Sequence, residues 1–136
     1  MEPPASEPQP ITVYDAVGGQ PYFDSLVDDF YARVAADSLL RPSYPEDLTE
    51  SKQWLALFLG QYWGGPGTYS ELRGHPRLRM RHAPFVVGMA ERDAWLLHML
   101  AAVDASDIPG EVRDQVHAMF TSYFEQASTA MINQPL

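Results

Sequence analysis

Apolar side chains recur at three- and four-residue intervals through most of this 136-residue chain, and glycines and prolines cut the pattern into blocks. Such spacing belongs to one face of an α-helix, and no stretch shows the strict alternation of a half-buried strand. Tyr22 or Phe23, Leu26 and Val27, Phe30 and Tyr31, and Val34 define a first long helix, which starts after Gly18-Gly19 and ends near Ala36. A second runs from Leu48 to Trp63 on Ser51, Leu55, Phe58, Leu59 and Tyr62, with Asp47 or Thr49 as its cap and Gly64-Gly65-Pro66 as its stop. Glu91 to Val103 repeats Trp95/Leu96, Met99/Leu100 and Val103. Pro109 opens a last helix carrying Val112, Val116, Met119/Phe120, Tyr123/Phe124 and Ala127. The fold class is therefore all-α.

The segments between these helices are short and distinct. Asp37 to Asp47 holds Pro42 and Pro45 with little periodicity, so it reads as a bend that carries Tyr44. Gly67 to Pro76 reads as a polar loop, and RLRMRH, confined between Pro76 and Pro84, has room for a single helical turn ending near His82. The chain has the length of one domain. Four prolines and two glutamates within residues 1–10 oppose helix and strand alike, so those residues are expected to form an extended, mobile tail ahead of a domain spanning 11–136.

Charge narrows the function. A formal net charge of −9 repels phosphate backbones and anionic lipid surfaces, which argues against a nucleic-acid partner. The absence of cysteine excludes disulfides, thiol catalysis and Cys-ligated zinc or iron–sulfur centres, and suits a cytoplasmic location. The longest apolar run, Trp95 to Val103, is broken by His98 and is too short to span a bilayer. The tail has neither the basic start nor the apolar stretch of a secretory signal.

Four histidines are the only strong neutral-pH ligands. His75 lies between Gly74 and Pro76, and His98 and His117 sit within amphipathic helices. His82 closes a short basic turn ahead of Ala83-Pro84-Phe85, a setting that presents one imidazole from a fixed backbone position with its other nitrogen bonded to a main-chain carbonyl. The chain has no HExxH, nucleophile elbow, GxGxxG or phosphate loop. Read from spacing alone, each of the Tyr and Trp residues supplies core area with one bonded polar tip. Tyr62 and Trp63 are packing residues on this reading, and Arg77 and Arg79 are solvated charges.

Taken in order, the features form a larger pattern. Tyr31, then Tyr44 in the bend, the stripe Leu55/Phe58/Leu59, QYWGGP, RGHPRLRMRHAPF and ERDAWL follow one another as they do in truncated haemoglobins, and the chain resembles group II of that family from Tyr14 to its C-terminus. The resemblance implies a two-over-two helical sandwich around haem b that reversibly binds oxygen and other diatomic ligands, carbon monoxide and nitric oxide among them. It implies His82 as the proximal ligand, with Tyr31, Tyr44 and Trp95 facing the gas. Ser51 would stand at the distal gate, Leu55 and Phe58 along the distal wall, Phe85 below the porphyrin, and Tyr69 and Arg81 near the propionates. Trp54 departs from the pattern, because relatives often carry there a basic residue that reaches a propionate. Two alternatives use the same residues differently: a haem enzyme that consumes nitric oxide or peroxide with an external reductase, and a haem-free acidic helical interaction module.

Overall fold

The computed structural model describes residues 11–134, and within them every regular element is helical. The tail expected over residues 1–10 lies outside the described residues. In order the elements are α1 (Val13–Ala16), α2 (Gln20–Ala35), a 3-10 turn (Arg41–Ser43), α3 (Thr49–Tyr62), α4 (Thr68–Arg73), α5 (Leu78–His82), α6 (Met89–Ala105) and α7 (Arg113–Ala130). Helix α2 packs on α3, α6 packs on α7, and α2 lies against α6, so two helix pairs make the sandwich.

The periodic residues of α2 are the ones that go inward: Tyr22, Phe23, Leu26, Val27, Phe30, Tyr31 and Val34 are all buried. They meet Leu59 of α3, Met99 of α6, and Phe120 and Phe124 of α7 in one core. Phe120 is its hub. It is fully buried, with ring centroids 4.9 Å from Trp63, 6.1 Å from Tyr22 and Phe124, and 6.3 Å from Phe23.

Gly64 and Gly65 do more than stop α3. The Tyr14 amide donates to the Trp63 carbonyl at 2.9 Å, which lays α1 across the end of α3. Gly64 has φ +107°, and a Cβ there would stand 2.5 Å from Thr12 Cβ; one on Gly65 would stand 2.5 Å from the Tyr14 ring. Only residues without side chains allow this crossing.

Three sequence expectations need correction. The segment expected as a loop from Gly67 to Pro76 contains α4, because Tyr69 is buried against Trp54 and Phe58 and tertiary packing supports a helix too short to show a period. The last helix starts at Arg113 and not at Pro109: residues 109–112 form a turn closed by the Val112 amide on the Pro109 carbonyl at 3.1 Å. The Arg113 guanidinium bonds the Ser106 and Asp104 carbonyls, so it ties the α6–α7 connection to the end of α6. Helix α6 starts at Met89, two residues before Glu91, whose carboxylate accepts the Gly88 amide at 3.2 Å and so caps the first turn. At α3, Asp47 is the capping side chain, accepting the Thr49 amide at 3.0 Å.

Truncating the hub tests this packing. Phe120→Ala should lower folding stability by about 3–5 kcal/mol, the usual range for a buried phenylalanine. A urea titration should show a lower midpoint at unchanged slope. A loss below about 1 kcal/mol would mean that the aromatic cluster is not the centre of the core.

Candidate functional site

A cavity of about 340 Å³ opens between α2, the bend after it, α3, α5, α6 and α7. All ten residues singled out from the sequence line it. His82 and Arg81 come from α5 and Phe85 from the segment after it; Tyr31 comes from α2 and Tyr44 from the bend; Ser51, Leu55 and Phe58 come from α3, Tyr69 from α4 and Trp95 from α6.

Helix α5 fixes His82 locally. Its first turn is set by Arg77, which adopts a left-handed conformation with φ 47° and donates its amide to His75 Nδ1 at 3.0 Å. His82 Nδ1 lies 2.7 Å from the Leu78 carbonyl oxygen. A carbonyl can only accept, so Nδ1 carries the proton and Nε2 keeps a free lone pair. The remaining histidines are engaged elsewhere: His98 Nε2 lies 2.7 Å from Asp37, His117 Nε2 lies 2.6 Å from Asp104, and His75 caps Arg77.

The opposite wall carries donors. The Tyr31 and Tyr44 rings meet edge to face at 5.5 Å, and the Trp95 indole packs on Phe30 at 5.4 Å and Phe124 at 5.9 Å. Burial pushes the Tyr31 phenol well up, the neighbouring Tyr44 adds to the rise, and the Ser51 hydroxyl opposes it. Burial likewise pushes Tyr44 from 10.0 up to about 12, opposed by the Trp95 indole. Both phenols are therefore protonated at neutral pH and keep their O–H donors.

Three contributions to the site lay beyond the sequence reading. Helix α7 supplies Tyr123, Phe124, Ala127 and Ser128 to the cavity wall. Periodicity had marked Tyr123, Phe124 and Ala127 as inward-facing, but it carries no sign that the space before them is open. Arg92 is the second: its Nε is buried in the wall with no hydrogen-bond partner among the described residues, while its Nη1 bonds Asp93 at 3.0 Å. The third is Asn133, beyond the end of α7. Its side-chain amide donates to the Phe85 and His82 carbonyls at 2.8 and 3.3 Å, its Oδ1 accepts the Val87 amide at 2.9 Å, and its own amide donates to the Val87 carbonyl at 2.8 Å. One residue thus clamps the segment after His82 to the end of the chain, and no local pattern marks an asparagine in that place.

The donor set fits a haem. Among the described residues no three His, Cys, Asp or Glu side chains gather as a metal cage. A lone imidazole on an apolar cleft suits a metal that brings its other ligands in a planar ring. The buried Arg92 Nε supplies an unpaired donor of the kind that takes its partner from what fills the cavity.

Comparison with known proteins agrees. The chain belongs to the bacterial-like globin family, whose model matches residues 12–129. It is similar to the group 2 truncated haemoglobin YjbI of Bacillus subtilis, with 42% identity over 89% of this chain and 88% of that one. The haemoglobin of the thermophilic phototroph Chloroflexus aurantiacus superposes with a TM-score of 0.84 at 53% identity, covering 90% of this chain and 98% of that one. A truncated oxygen-avid haemoglobin from Bacillus subtilis gives 0.79 at 42% identity, covering 88% and 98%. The fold is a truncated globin of group II character.

Two measurements probe the site without any ligand. Because the folded pKa of Tyr44 lies above its unfolded value, its contribution to stability is complete below pH 10 and is lost as pH rises toward about 12. Tyr44→Phe should therefore flatten the fall in melting temperature over that alkaline window; an unchanged profile would refute the shift. For the clamp, Asn133→Ala should speed hydrogen exchange at the Val87 amide about tenfold or more while leaving the α2 core amides unchanged. Equal exchange in both proteins would show that the clamp holds nothing.

Proposed function

We propose that this chain holds haem b in the cavity, with His82 as the protein ligand to its iron, and reversibly binds dioxygen and other diatomic gases between Tyr31, Tyr44 and Trp95. The observation that carries the reading is the pairing across one apolar cavity of an imidazole locked by the Leu78 carbonyl with three hydrogen-bond donors. The likeness to an oxygen-avid haemoglobin supports it. Haem would supply a binding position for a gas.

The chain's own residues decide how that position behaves. The Leu78 carbonyl polarises the His82 ring and fixes its tautomer, so Nε2 remains the basic nitrogen. The phenols of Tyr31 and Tyr44 and the indole N–H of Trp95 donate toward an acceptor that carries negative charge, and Leu55 and Phe58 keep the surroundings dry. A hydrogen bond to a charged acceptor contributes about 1.5–3 kcal/mol, and each 1.4 kcal/mol is tenfold in affinity. Three donors favour slow release of oxygen, which suits storage, sensing or oxidation over rapid carriage. Tyr69 and Arg81 line the same cavity and are the groups we assign to the propionates; the Arg81 Nε donates to the Pro76 carbonyl at 2.9 Å.

Substitutions test both walls. His82→Gly should abolish stable ferrous haem binding and recover it when imidazole is added; an unchanged ferrous spectrum and haem affinity would refute the assignment. Trp95→Phe keeps most of the aromatic volume and deletes one donor. It should raise the oxygen dissociation rate about tenfold or more and that of carbon monoxide, a poorer acceptor, much less. Equal small changes for both gases in stopped-flow traces would make Trp95 a wall and not a donor.

A further inference from the structure

We propose that Arg73, held across the face of the Trp54 indole, binds one propionate carboxylate of the haem. The inference rests on the haem reading above and concerns which residue anchors the group. The Arg73 guanidinium carbon lies 4.7 Å from the Trp54 ring centroid and 5.9 Å from that of Tyr69. Trp54 and Tyr69 both line the haem cavity, and Arg73, Trp54, Tyr31 and Ser51 line a second concavity that shares its rim. Stacking on Trp54 therefore holds the guanidinium at the mouth of the site, and it leaves the in-plane N–H fork free, because cation–π contact uses the face of the group and carboxylate binding uses its edge.

Among the described residues no carboxylate is in ion-pair contact with Arg73; the ion pairs are made by Arg33, Lys52, Arg92, His98 and His117. Asp47 and Glu50 stand on the same rim and would repel an incoming carboxylate, so the sign of the local field depends on the arginine facing them. The wider sequence agrees. Arg73, Arg77, Arg79 and Arg81 are four of the nine Lys and Arg residues in a chain of net charge −9, and no Asp or Glu occurs between Glu71 and Glu91. Of these four, Arg73 lines the second concavity and Arg81 the haem cavity, both half-buried. A group with two carboxylates at one edge and an apolar body matches two arginines ahead of an apolar cleft.

The test measures release of haemin, and of haemin dimethyl ester in which both carboxylates are blocked, to an excess of a haem-scavenging apoglobin. Arg73→Met keeps the stem and removes the charge. It should speed haemin release about fivefold, a partly solvent-screened ion pair, and leave release of the dimethyl ester at the wild-type rate. Arg73→Lys, which keeps the charge without the fork, should fall between the two. Adding Trp54→Lys to Arg73→Met should restore slow haemin release, since it places a cation on the same rim. Unchanged haemin release in Arg73→Met, or equal acceleration for haemin and its ester, would overturn the assignment of Arg73 alone. Failure of the wild-type chain to develop a Soret band with haemin would overturn the haem reading itself, and this assignment with it.

Discussion

Phe30 is fully buried where α2 meets α6, with its ring edge-on to Tyr31 at 5.1 Å and to Trp95 at 5.4 Å. One side chain therefore joins the core to the cavity. Phe30 and Tyr31 are neighbours in sequence, but their angular separation on the helix turns one ring into the core and the other toward the open space. Because Phe30 also buttresses the Trp95 indole, the relative position of two cavity donors depends on how α2 and α6 pack, and not on any contact between the donors themselves. Interiors close-pack wherever the backbone lets them, so a cavity persists only where the surrounding helices are held apart by other contacts. Here those contacts are the Phe120 cluster behind α2, the glycine-permitted crossing of α1 over α3, and the Arg113 bonds at the α6–α7 connection.

Charge is arranged around the cavity in a complementary way. The chain as a whole is strongly acidic, yet Arg73 of α4 and Arg81 of α5 line the two concavities at the cavity mouth. On the wall of α2, the bend and α6 the donors are neutral: the Tyr31 and Tyr44 phenols, pushed up by burial, and the Trp95 indole N–H. On the proposed reading, a carboxylate-bearing group would meet arginines at the rim and a gas would meet the three neutral donors within.

Much of this was legible in the sequence, and the reasons are specific. Helices α2, α3, α6 and α7 each extend over at least three turns, so their apolar residues repeat often enough to define a face. Helix α4 has six residues and one buried anchor, Tyr69, and a single anchor has no period. The likeness to truncated haemoglobins named the ten cavity residues, whereas local spacing alone gave core packing for the aromatics. What singles out His82 among the histidines is long-range: His98 finds Asp37 61 positions away, and His117 finds Asp104 on the neighbouring helix. Asn133 was invisible for the same reason, since its partners lie 46 to 51 residues earlier. Periodicity tells which way a residue points, but it does not tell whether the space it faces is filled, so Tyr123 and Phe124 read as core when they also form a wall.

The two walls are held by different forces, and this sets how they respond. The wall bearing Tyr31 and Trp95 stands on long helices with a packed aromatic core behind them. The wall bearing His82 stands on α5, which has no buried residue of its own, and on a following segment in which Phe85 and Val86 are exposed. Its position is set by polar ties: Leu78 to the His82 ring, Pro76 to Arg81, and Asn133 to three backbone groups. Segments with few apolar contacts and solvent-facing hydrogen bonds are the first to open in a folded protein. A planar apolar group seated against His82 and Phe85 would supply the packing that α5 lacks, and by linkage it would stabilise this wall far more than the other. On the proposed reading, binding would therefore add order to the His82 side, whereas the Tyr31 side is already held by the aromatic core behind it.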